Sequence, residues 1–241
     1  MFERYLRPLA GTALLIAVCV VAWHGWRALD APVEVVRISG ELSEAERARA
    51  TELVSLFLPA GVLSVDTRLI RELLERESWV DTVALWRKWP DGIQLEVRPE
   101  VAVARWRDGG LLSNRGRVIE PLELIGLDGL PHLSGPEGSA VMVMEAFQRV
   151  ADVLRPHEIR IDALEMDDEG GIEVHVRQGP RVMLGRSDLS GRLQRLDLVL
   201  RTQFPDGLDD VLRIDTRYGN GIAVAWRDNG ATASEQLAKR S

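Results

Sequence analysis

Few residues in this sequence are of a type and spacing that could do chemistry. Four histidines stand at positions 24, 132, 157 and 175. None forms the HxH or HExxH spacing that would put two imidazoles on one metal. The one cysteine, Cys19, excludes an intrachain disulfide and a cysteine-based zinc site. No GxSxG, SxxK or Cys–His arrangement is present to activate a nucleophile. No P-loop is present either, and Gly219-Asn220-Gly221 lacks the third glycine and following helix of a dinucleotide fingerprint. Two acidic clusters remain. Asp167-Asp168-Glu169 runs into Gly170-Gly171 and reads as a hairpin tip, and Asp209-Asp210 reads as the solvated start of a strand. Catalysis needs titratable groups that converge within hydrogen-bond reach. The sequence nominates none, so it reads as a non-enzyme without metal or cofactor. Trp79, Trp86, Trp89 and Trp106 are a residue type favoured at binding hot spots. Core packing and cross-strand pairing explain them more simply.

With chemistry set aside, composition bounds the class. The chain has 241 residues, 46% hydrophobic and 28% charged, enough for a sizeable core and unlike a disordered chain. Its net charge of −7 excludes a dominant nucleic-acid-binding role, which leaves a basic footprint. The hydrophobicity is unevenly spread. Leu9 to Trp26 contains no formally charged residue, and eighteen helical residues reach about 27 Å, close to a bilayer core. Trp23 and Trp26 suit the far interface, and Arg4 and Arg7 place the N-terminus in the cytoplasm. A cleaved signal fits poorly: cleavage after Asp30 puts a charge at the last position, and cleavage after Ala31 puts Pro32 next. The expectation is a cytoplasmic stub over 1–8, a transmembrane helix over 9–26 and an exported remainder.

The exported part reads as α+β. Alternation from Val33 to Ile38 predicts a strand. Ser43 and Glu46 form a capping box that opens a helix running to about Leu58, and Asp66 caps a second helix with Leu69, Ile70, Leu73 and Leu74 on one face. Strands follow over Trp79–Trp89 and Ile93–Val97, joined by a turn at Pro90-Asp91-Gly92. The order strand, helix, helix, strand, strand closes near Pro99. A second block opens with strands at Val101–Trp106, Leu111–Ser113 and Val118–Glu120. The stretch from Pro131 to Gly138 is dense in proline and glycine and predicts a loop. Helices are predicted over Ala140–Leu154 and from Ser187 or Asp188 through Leu200. Strands are predicted at Ile159–Met166, Ile172–Val176 and Val182–Leu184. A last hairpin, Val211–Tyr218 with Ile222–Trp226, turns at Gly219-Asn220-Gly221. In its second strand Ile222, Val224 and Trp226 alternate toward the core, and Ala223 and Ala225 leave the other face open. Positions 228–241 show no apolar pattern and predict a disordered tail.

Five local signatures resemble the FtsQ/DivIB family of bacterial cell-division proteins. Glu77-Ser78-Trp79-Val80, then Trp89-Pro90-Asp91-Gly92 with Leu95-Glu96-Val97, is similar to the end of that family's POTRA unit. Leu130-Pro131-His132-Leu133-Ser134-Gly135-Pro136-Glu137-Gly138 resembles its L-P-x-L-x-G-P-E-G stretch. Leu184-Gly185-Arg186, then Arg192-Leu193 with Arg195-Leu196, and finally Asp215-Thr216-Arg217-Tyr218 through Trp226, are similar to its remaining motifs. The resemblance implies a POTRA domain over 31–99 and an FtsQ-type β domain over 100–227. Leu196 stands where the family commonly has an aromatic, and the cytoplasmic stub is shorter than in many relatives.

The resemblance also implies a role. Family members act as scaffolds of the septal division complex in the bacterial inner membrane. They bind the periplasmic ends of FtsB and FtsL, two small coiled-coil membrane proteins, with further division proteins reached through the POTRA domain. A segment of FtsB adds to the edge of the last strand, where unpaired backbone groups give affinity. Carried over by motif, the partner-binding residues are Arg186, Arg217, Tyr218, Asn220, Gly221 and Trp226. The alternative is a POTRA-containing envelope protein of outer-membrane assembly or secretion. Such proteins carry a cleaved signal and a long run of barrel strands, which this sequence does not show.

Overall fold

A computed structural model describes residues 15–23, 25, 30–107, 109–123, 127–205, 207–219 and 221–227. The chain divides into two compact units, Met1–Glu100 and Val101–Ser241. Residues 15–23 are helical, and among the described residues no helix is long and apolar enough to cross a membrane. The expected stub, most of the flanks of the expected span and the tail from 228 lie outside the described residues.

The first unit carries β1 (Val35–Ser39), α1 (Glu44–Ser55), α2 (Thr67–Leu74), β2 (Val80–Lys88) and β3 (Gly92–Pro99). This is the strand-helix-helix-strand-strand order expected. Its sheet runs β1-β3-β2, with β1 parallel and β2 antiparallel to β3. The capping box at the start of α1 is complete: Glu46 N–H donates to Ser43 Oγ at 3.2 Å, and Ser43 N–H donates to Glu46 Oε2 at 2.8 Å. α1 ends at Ser55, short of Leu58. There the backbone tightens, with Phe57 N–H donating to Val54 O and Leu58 N–H to Ser55 O, three residues back, ahead of Pro59. Asp66 caps α2 by accepting from the N–H groups of Arg68 and Leu69. Ile70 and Leu74 are fully buried, and the core also takes Ala50, Val54, Val80, Ile93, Leu95 and Val97. Of the tryptophans, Trp79 and Trp106 are buried as expected, whereas Trp86 and Trp89 are exposed.

The second unit is a nine-stranded mixed sheet. Its strands are β4 (Ala102–Trp106), β5 (Gly110–Ser113), β6 (Val118–Ile119), β7 (His132–Ser134), β8 (Ile161–Met166), β9 (Ile172–Val176), β10 (Arg181–Gly185), β11 (Val211–Asp215) and β12 (Ala223–Trp226). They lie in the order β12-β11-β10-β9-β8-β7-β4-β5-β6. α3 (Ala140–Leu154) follows β7 and packs on β7 and β8, and α4 (Leu189–Gln203) follows β10 and packs on β10. Val143, Ala146, Val150 and Leu154 of α3 meet Leu193, Leu196 and Leu200 of α4 and the inward row Leu133, Leu164, Val174, Val182 and Ile214 in one core.

β7 corrects the sequence reading. His132–Ser134 is a central strand, not part of a loop: it pairs in parallel with β4 on one side and β8 on the other. Leu133 is fully buried at its centre. Three residues are too few to show alternation, and the flanking prolines and glycines mask them. Gly135 then admits α3, since a Cβ there would lie 2.8 Å from Val143 Cγ2.

Candidate functional site

The last hairpin sits at one end of the sheet. β12 pairs antiparallel with β11, through Asp215↔Ala223, Ile214↔Val224, Arg213↔Ala225 and Val211↔Trp226, with a bulge between Val211 and Arg213. Its other side meets no described strand. Arg227 N–H donates to Asp210 O at 2.8 Å. By the alternation of an antiparallel ladder, the N–H and C=O groups of Val224 and Trp226 therefore point away from β11, toward the open edge. Ile222 and Val224 pack against the core, as the alternation predicts. Trp226 does not enter it. Although on the same face, it is 60% exposed, its ring 5.8 Å from that of Phe204 just past the end of α4. The ring of Phe204 is tilted against one side of the indole, which otherwise stays largely open to solvent.

Tyr218 is likewise 60% exposed, in the connection that follows β11. Core packing explains neither aromatic. The start of this connection is firmly held. Thr216, fully buried, donates from both N–H and Oγ to Met183 O. Arg217 folds back on Asp215: Nε lies 2.9 Å from Oδ1, Nη2 lies 2.7 Å from Oδ2, and the Arg217 N–H also donates to Oδ1. These hydrogen bonds hold the Asp215 carboxyl below the usual carboxylate range against its burial, and they raise the guanidinium in turn. Asp215 thus fixes Arg217 and sets where Tyr218 begins. In the sequence Asp215 is marked only by its place two residues before an arginine at a strand end. Phe204 had no signal at all.

Arg186 follows β10 and pairs with Glu169 at 3.2 Å, both well exposed. It shares with Arg217 and Arg192 the wall of a depression of about 250 Å³. Gly185 is needed to shape it: its φ of +65° is left-handed, and a Cβ there would come 2.5 Å from Arg192 Nη1 and 3.0 Å from Arg217 Cγ. Arg192 donates to Leu184 O and to Ser187 Oγ, closing the turn into α4, which Asp188 caps through Gly191 N–H. The structure therefore brings Arg186 and Arg217 together, with Tyr218 next in sequence and Trp226 at the far end of the edge strand. Asn220 lies outside the described residues. Gly221 has no left-handed φ and open space around it, so the turn does not require glycine at that position.

The acidic clusters take the structural roles expected. Asp167 Oδ1 accepts from the N–H groups of Glu169 and Gly171 and closes the β8–β9 turn. Asp209 and Asp210 are exposed just before β11. His157 pairs with Asp197 at 2.9 Å and His175 with Glu173 at 3.3 Å. Among the described residues no group of three potential ligands could hold a metal ion. What the edge can do is bind: it offers backbone hydrogen bonds and two exposed aromatics, beside two arginines already paired with carboxylates of the same chain.

The fold is a β-α-α-β-β unit followed by a mixed β domain with an open terminal edge among the described residues. Residues 31–98 match the FtsQ-type POTRA domain, and residues 104–217 match the C-terminal region of cell division protein FtsQ/DivIB. The chain is 32% identical over 232 residues to the cell division protein FtsQ of a Thioalkalivibrio strain, covering 92% of this chain and 94% of that one. It is 30% identical to FtsQ of Cellvibrio japonicus (92% of this chain, 71% of the relative) and 30% identical to FtsQ of Hahella chejuensis (89% and 76%). The chain belongs to the FtsQ/DivIB family of cell division proteins.

Proposed function

We propose that this protein is a non-catalytic scaffold of the septal division complex, and that β12 receives a strand from the periplasmic segment of FtsB, with FtsL held in the same assembly. The single observation that carries this reading is an unpaired edge flanked by two aromatics that the fold leaves exposed. Val224 and Trp226 offer backbone groups to an incoming strand, Tyr218 and Trp226 offer area at low entropic cost, and Arg217 and Arg186, each paired with a carboxylate of this chain, border the contact with guanidinium groups that stay partly exposed. Gly221 leaves room for close approach. The uncharged run over 9–26 anchors the chain in the inner membrane with its N-terminus in the cytoplasm and both units in the periplasm. Residues 31–99 and 100–227 act as the two domains, the POTRA domain reaching further division proteins.

The test is a photoreactive residue at position 218 in the full chain in cells, with identification of the captured protein, paired with titration of purified protein against the FtsB periplasmic segment. Capture of FtsB is expected. Tyr218→Ala should weaken binding about thirtyfold, the equivalent of about 2 kcal/mol. His132→Ala and Asp168→Ala should bind as wild type. Normal binding by a folded Tyr218→Ala variant would displace the site from this edge.

A further inference from the structure

The end of the first unit nearest the N-terminal apolar run is pinned together by backbone bonds. Asp30 Oδ1 accepts from Leu63 N–H at 2.8 Å and Ser64 N–H at 3.2 Å. Val62 N–H donates to Ala31 O, Val33 N–H to Ala60 O, and Glu34 N–H to Asp91 O. Arg87 adds a clamp, with Nε on Val62 O at 2.7 Å and Nη2 on Val65 O at 2.9 Å. The start of β1, the α1–α2 connection and the β2–β3 turn therefore form one end of the unit. Four peptide steps separate Asp30 from Trp26, at most about 15 Å of chain.

That end is where the unit leaves large side chains uncovered. Leu56, just past α1, is 70% exposed, and Trp89, at the β2–β3 turn, is 67% exposed. Trp86 is 41% exposed two residues before the exposed Lys88. Neither the turn nor the core explains an outward Trp89. Indole rings favour the headgroup level of a bilayer, and a lysine beside them can extend its ammonium into the same layer. Glu34, Asp66 and Asp91 lie at this end too, so its attraction is apolar and aromatic and does not depend on anionic lipid.

We propose that the Trp86–Trp89 hairpin end and Leu56 form a seat on the bilayer interface, holding the first unit against the membrane in which the chain is anchored. This rests on the anchor reading above. The occupant is the phospholipid surface because the covalent tether holds this end within about 15 Å of where the apolar run stops. β2 supplies its own ruler: Thr82 lies six residues back from Lys88 on the same strand, about 20 Å away.

The experiment uses the full chain carrying Cys19→Ser, reconstituted in phosphatidylcholine vesicles, with a nitroxide on Lys88→Cys or Thr82→Cys. Each label's relaxation by dissolved oxygen is compared with that by a water-soluble nickel chelate. The oxygen-to-nickel ratio should rise at 88 and stay at the solution value at 82. Adding Trp89→Ala should return position 88 to the value at 82, with the chain still floating with the vesicles. Equal ratios at 88 and 82, in a chain that floats, would overturn the seat while leaving the anchor intact. An unchanged ratio at 88 after Trp89→Ala would also overturn it. A chain that does not float with the vesicles would overturn the anchor and the seat with it.

Discussion

β2 of the first unit and β12 of the second are both edge strands, and they are built differently. β2 is nine residues long and carries Asp81, Arg87 and Lys88. β12 is the four residues Ala223-Val224-Ala225-Trp226, without a charge. Charges on an edge are a common guard against stray pairing, and β12 lacks that guard. Its shortness partly replaces it. Two outward residues offer few hydrogen bonds, each of small net value, so a passing strand gains little there. On the proposed function, a strand that also reaches Tyr218 and Trp226 gains much more. An edge can therefore stay open and still be selective, when its backbone supplies register and the side chains beside it supply affinity. On β2 the exposed apolar surface is instead gathered toward the hairpin end, at Trp86 on the ladder and Trp89 beyond it.

The largest expected effect falls on the sheet itself. Leu133→Ala removes the centre of β7 and should destabilise the second unit by about 2–5 kcal/mol in chemical denaturation. If the β12 edge depends on the whole sheet, FtsB binding should be lost over the same denaturant range. Val224→Pro comes next. It deletes an outward N–H, leaves the β11 ladder in place, and should reduce FtsB binding by more than the roughly thirtyfold expected of Tyr218→Ala. Equal binding by a folded Val224→Pro variant would erase the distinction drawn between the two edges.

Asp215 gives a smaller, pH-dependent effect. Its carboxyl is held low by hydrogen bonds from Arg217, so its contribution to stability is full above the unfolded value near 3.9 and is lost as pH falls through the lower folded value. Wild type should exceed Asp215→Asn in stability by a constant margin from about pH 7 to 5, and the margin should close below about pH 3.9. A margin that closes near pH 6 would mean that another group controls this turn. The smallest effect is expected at Gly221. Its backbone is open to any residue, so Gly221→Ala should change stability by less than about 0.5 kcal/mol. Any loss of FtsB affinity in that variant then reports close approach by the partner.

Most elements were legible because their signals are local. The Ser43–Glu46 box, the Asp66 and Asp188 caps and the apolar spacing over Ala140–Leu154 each act within a few residues, and each stands where the pattern predicts. The parity of Ile222, Val224 and Trp226 was legible too, since strand alternation is fixed by backbone geometry. The depth of Trp226 was not. Burial depends on what packs over the ring, and the ring found beside it belongs to Phe204, more than twenty residues earlier in the chain.

The sequence by itself determined the element types, the two-block order and the family signatures, because caps, turns and alternation are carried by neighbouring residues. Only the tertiary structure decided that His132–Ser134 is a central strand, that Trp226 and Tyr218 face solvent, and that Gly221 is free of any left-handed demand. Each of these depends on partners distant in sequence. β7 exists because β4 and β8 satisfy both of its sides, and β12 remains an edge because no further described strand lies beyond it. Pairing and covering are properties of the assembled sheet, and three or four residues of local pattern carry too little information to announce them.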